Sequence, residues 1–101
     1  MSKTTVIFRK WNDGQIIALF PYNIWNRTDI MSYMHIGQHS GACYSGCIRE
    51  TKPASPDEYK SLYNELQSIG YNLQVQNKYS HSKFLKAYYR INYSNFNQSN
   101  N

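Results

Sequence analysis

The middle of the chain constrains the fold most, because it encodes both ends of a helix. Ser55 is a helix-capping residue, Pro56 suits the first helical position, and Glu58 lies three residues after the cap, as a capping box requires. Gly70 predicts the end of the helix, since glycine adopts the left-handed conformation at little steric cost. The sequence therefore predicts a helix over residues 56–69.

The apolar residues of this helix share one face. They recur at intervals of three, one, three and three residues, which lines one side of a 3.6-residue helix: Tyr59, Leu62, Tyr63, Leu66 and Ile69. After the helix, Tyr71, Leu73 and Val75 alternate with polar residues, the period of a strand with one buried face. We therefore expect the helix to dock on a sheet that includes the strand at residues 71–75.

The N-terminal part of the chain predicts a β-hairpin. Residues 4–11 and 15–20 are rich in β-branched and aromatic side chains, and Gly14 between them supplies the positive φ of a short turn. The face beneath the helix is expected to contain Val6 and Phe8, with Ile17 and Leu19 or their neighbours. Pro21 is expected to end the ladder or mark its edge, and Trp25 is a candidate core anchor.

The next segment predicts a third strand and then a glycine-rich loop. Residues 32–36 alternate, with Tyr33 and His35 on one face and Met34 and Ile36 on the other. Three glycines follow, at positions 37, 41 and 46, and residues 47–49 are expected to be extended again. Loops on a rigid scaffold are where binding residues concentrate. The candidate partner-binding loop residues are Tyr33, His35, Gln38, His39 and Tyr44.

The last quarter of the chain predicts a short basic helix. Ser80 is a candidate cap, the apolar residues after it share one side, and basic residues recur at steps of three and four on another. Residues 76–101 contain four basic side chains and no acidic one. The candidate nucleic-acid-binding residues are Lys83, Lys86 and Arg90, together with Tyr79 and Tyr89. The polar residues 93–101 are expected to be a disordered tail.

These elements predict an α+β fold. We expect a small antiparallel β-sheet, made of the hairpin and one or two further strands, with one main helix packed on a face and a second short C-terminal helix. A chain of 101 residues is long enough to bury one core, so residues 1–92 are predicted to form a single domain.

Two histidines and two cysteines form the only sequence pattern typical of chemistry. His35, His39, Cys43 and Cys47 are four residues apart, and both residue types bind zinc. The interrupting glycines argue against the helix on which this spacing would align, so we predict no metal and no cofactor. A cysteine nucleophile with a histidine base is the enzymatic alternative, but no flanking motif supports it. We therefore predict no catalytic residues, and reduced thiols.

Charge and composition favour some partners over others. Eleven Lys and Arg against six Asp and Glu give a net charge of +5, which favours phosphate-bearing or acidic partners. The aromatic content of 16% in a basic chain is the mixture that proteins use to stack bases and neutralise phosphates. No apolar run reaches the length of a membrane span and no signal peptide opens the chain, so we expect a cytoplasmic protein without membrane contact.

Three segments carry a resemblance to a protein family. They are SYMHIGQH at residues 32–39, TKPASPDEY at residues 51–59 and ELQSIGYNL at residues 65–73. Together they resemble a family of small uncharacterised proteins from phages and bacterial mobile elements. The resemblance covers residues 4–75 and leaves the basic last quarter outside it. It implies an accessory role in a phage or plasmid, and no catalytic residues follow from it.

Two classes of function therefore remain open. The first is a small accessory protein without catalytic activity that binds nucleic acid or nucleoprotein through the basic last quarter of the chain. The alternative is a protein-binding inhibitor of a host enzyme or defence complex, similar to anti-CRISPR proteins, which uses the segment 32–47. The salt dependence of binding distinguishes them, because binding through several phosphates weakens steeply as salt rises, whereas a desolvated aromatic protein interface is far less sensitive. The oligomeric state does not follow from the sequence.

Overall fold

The computed structural model describes residues 3–26, 29–35 and 38–77. Its elements in chain order are β1 (Thr4–Lys10), β2 (Ile16–Ile24), β3 (Ile30–Met34), β4 (Gln38–Ala42), α1 (Tyr44–Glu50), β5 (Lys52–Pro53), α2 (Pro56–Ser68) and β6 (Leu73–Val75). They form an α+β fold, as the sequence predicts. The expected C-terminal helix, the tail at 93–101 and the candidate nucleic-acid-binding residues lie outside the described residues.

One sheet contains all six strands. Its order is β4-β3-β2-β1-β5, and these neighbours pair antiparallel. β6 pairs instead with the beginning of β1 and runs parallel to it. The direction of β6 differs from the antiparallel pairing that we expected. The reason is that β5 leaves the sheet at the Lys10 end of β1 and α2 carries the chain back to the Thr4 end, where β6 begins.

The hairpin of β1 and β2 is confirmed. Trp11 N donates to Gln15 O at 2.8 Å, Gly14 N donates to Trp11 O at 2.9 Å, and Gly14 has a φ of 91°. Ile7 pairs with Leu19, which fixes the register of the two strands. Since side chains alternate along each strand, this register gives the sheet two apolar faces.

The first face, which we call the α2 face, lies beneath helix α2. Leu62 and Leu66 of α2 are buried, and the capping box is present, with Ser55 Oγ accepting from Glu58 N and Glu58 Oε1 accepting from Ser55 N. Ala18 and Phe20, the neighbours of Ile17 and Leu19, face α2. The buried strand residues of this face are Val6, Phe8, Ala18, Phe20, Tyr33 and Leu73. The prediction is wrong for Ile69, which is 52% exposed because the helix ends at Ser68 and Ile69 is its C-cap.

The opposite face, the α1 face, is covered by helix α1. Two predictions are wrong here, that the glycines interrupt any helix in this segment and that residues 47–49 are extended, because α1 includes Gly46 and residues 47–49. Buried Arg9 explains why the helix forms, since its Nη2 donates to Thr51 O at 2.7 Å and to Ile48 O at 3.0 Å, carbonyl groups at the helix C-terminus. The residues buried on this face are Ile7, Ile17, Leu19, Ile30 and Cys47.

The end of β2 meets one expectation and departs from another. Pro21 lies inside the strand, but it marks the edge of the regular ladder, because the register with β3 shifts between Phe20 and Ile24. Such a shift frees the proline from donating to the ladder. Trp25 is 49% exposed and does not anchor the core. No helix among the described residues is long and apolar enough to cross a membrane.

Candidate functional site

Five polar and aromatic side chains come together at one end of the α2 face. We call them the histidine cluster: Tyr33, His35, His39, Glu65 and Tyr71. The carboxylate of Glu65 connects two of them, since Tyr33 Oη donates to Glu65 Oε2 and His35 Nδ1 contacts Glu65 Oε1. Tyr33 is only 2% exposed, whereas the His35 side chain is 66% exposed. The cluster therefore joins a buried hydroxyl to a histidine at the surface.

Strand alternation and register explain why these residues meet. Tyr33 faces α2 on β3. His35, one residue past the end of β3, lies on the same side, since it contacts Glu65 of α2. β4 pairs Tyr33 with His39, and their rings meet edge to face with centroids 4.8 Å apart. Glu65 lies beside the buried Leu66 on α2, at the border of the buried helix face. Three elements of the fold thus contribute to the cluster.

Tyr71 completes the cluster from the segment between α2 and β6. Its ring stacks on Phe20 with centroids 5.2 Å apart, and its hydroxyl lies 2.7 Å from His39 Nε2. Burial raises the pKa of the Tyr71 hydroxyl above its ordinary value, and a tyrosine hydroxyl is already protonated at neutral pH. Tyr71 therefore holds the His39 ring by a hydrogen bond to an uncharged hydroxyl.

A cleft lies next to the cluster, between α2 and the neighbouring ends of β2 and β3. Its volume is about 400 Å³, and its residues are Gln15, Ile16, Met34, His35, Glu58, Ser61 and Leu62. Ile16 and Leu62, which pack with the core of the α2 face, give the cleft an apolar lining, and Gln15, His35, Glu58 and Ser61 add polar groups to it. Lys10 pairs with Glu58 and lowers the pKa of its carboxyl to about 2, helped by the Ser55 backbone N–H. A cleft of this kind can take up an apolar side chain of a binding partner that carries a polar group next to it.

The candidate partner-binding residues do not form one loop. Tyr33, His35 and His39 meet in the histidine cluster, but Tyr44 packs with the residues of the α1 face. Gln38 begins strand β4, so the segment that we expected to be a loop is a strand followed by a helix. The pairing of β4 with β3 supplies backbone hydrogen bonds that the glycine content of the sequence does not indicate.

The two cysteines lie apart from the histidine cluster. Cys47 is buried on the α1 face, and burial raises the pKa of its thiol. Cys43 is exposed, and hydrogen bonds from Ser45 and from the backbone of Gly46 lower the pKa of its thiol. Both thiols are free. Among the described residues no three His, Cys, Asp or Glu side chains are placed to hold a metal ion.

Sequence reasoning did not assign a site role to Glu65 or Tyr71. Periodicity placed Tyr71 among the core-facing residues, and its ring does pack on Phe20. Glu65 had a weak signal, because it is an acidic residue next to the apolar stripe of α2. The docking of α2 brings Glu65 to His35, and the pairing of β4 with β3 places His39 where it meets Tyr71.

Comparisons with known proteins give no further constraint. The chain matches no protein-family model, no curated protein and no solved structure. The geometry and the charges of the chain therefore carry the functional argument.

Proposed function

We propose that this protein is a small accessory protein of a phage or mobile element, acting in the cytoplasm without catalysis, and that it binds nucleic acid or nucleoprotein through its basic segment at residues 78–90. The observation that carries the proposal is the distribution of charge. The described residues contain six Lys and Arg and six Asp and Glu, so the described part of the chain is electrically balanced. The net charge of +5 thus resides in Arg27, Lys78, Lys83, Lys86 and Arg90.

Concentrated charge supports a phosphate-bearing partner. Four of these five cations lie within thirteen consecutive residues that contain no acidic side chain. Association with phosphates gains from the release of condensed counterions, and that gain grows with the number of cations brought to the backbone. Tyr79 and Tyr89 in the same segment supply aromatic rings that stack on bases.

The test replaces Lys83, Lys86 and Arg90 together by Gln. We expect weaker binding to labelled single-stranded DNA, duplex DNA or RNA, with a salt dependence shallower by about 0.7 to 0.9 per lost phosphate contact. Fluorescence anisotropy at several salt concentrations measures both quantities. The matched control replaces three exposed lysines of the described part of the chain by Gln, and so removes the same charge. They are Lys3, Lys52 and Lys60.

Two outcomes would contradict this proposal. The first is no binding of the unchanged protein to any of the three nucleic acids at low salt. The second is an equal loss of binding in the control variant, which would assign the effect to total charge and not to the basic segment.

A second candidate function is binding to a host protein, as an inhibitor of a host enzyme or defence complex. The cleft beside His35 favours it, because a lining of both apolar and polar residues fits a side chain of a protein partner. The described part of the chain also carries no net charge that would favour phosphates. Ser61→Trp would fill this cleft, whereas Gln67→Trp places the same ring on an exposed position of α2 outside it. A host protein captured from nuclease-treated lysate by the Gln67→Trp variant but not by Ser61→Trp would support this function. Equal capture by both variants would contradict it.

A further inference from the structure

The two edges of the sheet differ in how well they are protected. β5, at one edge, has only two residues, and these are a lysine and a proline, both of which oppose further strand pairing. β4, at the other edge, has five residues and contains neither a charged side chain nor proline. In the described part of the chain no strand pairs with the outer side of β4. Among the described residues, nothing therefore prevents an additional strand from pairing with this edge.

A half-exposed tryptophan lies beside the open edge. The indole of Trp25 rests on Gly41 of β4, since a Cβ at Gly41 would be only 2.4 Å from Trp25 Cδ1. Gly41 pairs with Met31, which packs against the core of the α2 face, so the indole lies on that face. Trp25 is nevertheless 49% exposed. Tryptophan is enriched at protein interfaces, and this one is placed to be covered by whatever pairs with β4.

The sequence of β4 is self-complementary. A two-fold axis through Ser40, perpendicular to the sheet, would pair all five residues of β4 with those of a second copy. Ser40 would then face its own copy, and His39 would face Gly41 of the second copy on the α2 face. The imidazole would lie beside the indole that covers Gly41. Since the strand carries no formal charge, no like charges would oppose each other.

We propose that two copies of this chain form a dimer by antiparallel pairing of their β4 strands, which joins the two sheets and covers Trp25. Five paired residues a side and two indoles bury less than the roughly 1,600 Å² of a standard stable interface. The dimer therefore dissociates on dilution. It also brings two basic segments into one particle, although the proposal does not depend on nucleic-acid binding.

Sedimentation equilibrium of the purified, nucleic-acid-free full chain tests the dimer. We expect the average mass to rise with protein concentration from one chain to twice that value. Ser40→Lys places two ammonium groups opposite each other at the axis and should keep the protein monomeric over the same range. Gln74→Lys, an equally exposed change on β6 at the other side of the sheet, should leave association unchanged. Circular dichroism verifies that both variants are folded.

Trp25 fluorescence gives a second readout. In a Trp11→Phe background, Trp25 is the one remaining tryptophan, and its emission should shift to shorter wavelength as the concentration rises. The shift should be absent in the Ser40→Lys variant. A monomeric unchanged protein at all concentrations, a Ser40→Lys variant that associates like the unchanged protein, or a dimer without the emission shift would each overturn the proposal.

Discussion

The two faces of the sheet are built in different ways. The α2 face is aromatic, with Phe8 stacked on Tyr59 at 4.3 Å between ring centroids, and it is covered by a helix of 13 residues with a complete capping box. The α1 face is mainly aliphatic, and its helix has seven residues and no side-chain hydrogen bond at its N-cap. The longer helix carries its own start and stop signals, whereas the shorter one depends on Arg9 from β1.

The two helices therefore differ in what stabilises them. Local sequence signals stabilise α2, whereas tertiary contacts stabilise α1. A capped helix with an apolar stripe has a preference for its structure before it docks. A seven-residue helix with a glycine inside is too short to be stable alone, so it forms only where the sheet and Arg9 hold it. The polar groups also differ, because the α2 face ends in the exposed histidine cluster and the α1 face encloses a buried guanidinium. The α2 face is therefore the one whose polar cluster reaches solvent, through His35.

Removing a core side chain from the α2 face should have the largest effect. Leu66→Ala deletes a fully buried side chain and should lower the free energy of unfolding by about 2 to 5 kcal/mol. Leu19→Ala removes an equally buried side chain from the α1 face. It should lower the free energy of unfolding by a similar amount if both faces belong to one cooperative unit. Urea titration measures both. An unfolding midpoint of Leu66→Ala equal to that of the unchanged protein would show that α2 does not dock as described.

Replacing Arg9 should have the next largest effect on stability, and this effect should be confined to α1. Arg9→Met leaves the carbonyl groups of Ile48 and Thr51 without their donor and should cost about 1 to 3 kcal/mol. Hydrogen exchange of backbone amides should quicken more in α1 than in α2. Arg49→Met, which changes an exposed arginine of the same helix, serves as the control and should alter neither quantity appreciably. If α2 lost protection as much as α1, the two faces would not differ as we argue.

Removing the buried Tyr33 hydroxyl from the histidine cluster should have a smaller effect on stability. Tyr33→Phe removes the hydrogen bond to Glu65 and should cost about 1 to 1.5 kcal/mol, since Glu65 keeps His35 as a partner. Tyr63→Phe is the matched control, because its hydroxyl accepts only an exposed bond from Gln67 at 3.2 Å, and it should change stability little. Thermal unfolding of the two variants gives the comparison. Equal stability of both would remove the structural role of the Tyr33 hydroxyl.

Removing the charge of Glu58 should have the smallest effect on stability, and this effect should depend on pH. The pKa of Glu58 is lowered from 4.5 to about 2 in the folded protein, mainly by Lys10, so its ionised form stabilises the fold above pH 4.5. This contribution is lost as the pH falls from 4.5 to about 2. Glu58→Gln should therefore be less stable than the unchanged protein at pH 7, and the difference should vanish near pH 2. In a Lys10→Met background the difference at pH 7 should shrink; an undiminished difference would assign the pKa to another cause.

Much of the α2 half followed from the sequence. The capping box, the end at Gly70 and the burial of Leu62 and Leu66 were predicted, because each depends on residues three or four positions apart. The hairpin and the alternation at Tyr33 and Met34 were also predicted, because they depend on a four-residue turn and on neighbouring residues of one strand. Ile69 was assigned to the core in error, since periodicity continues by one residue past the point where the helix ends.

The sequence by itself determined the α2 helix, the first hairpin and the segregation of positive charge into residues 78–90, since these depend on neighbouring residues and on composition. Only the tertiary structure decided that residues 44–50 form a helix, that β6 runs parallel to β1, and that Glu65 and Tyr71 join His35 and His39. Each of these depends on residues more than 25 positions apart, such as Arg9 with Thr51 or His39 with Tyr71. Contacts over such distances are made by strand order, strand register and the docking of helices on the sheet, which no local pattern specifies.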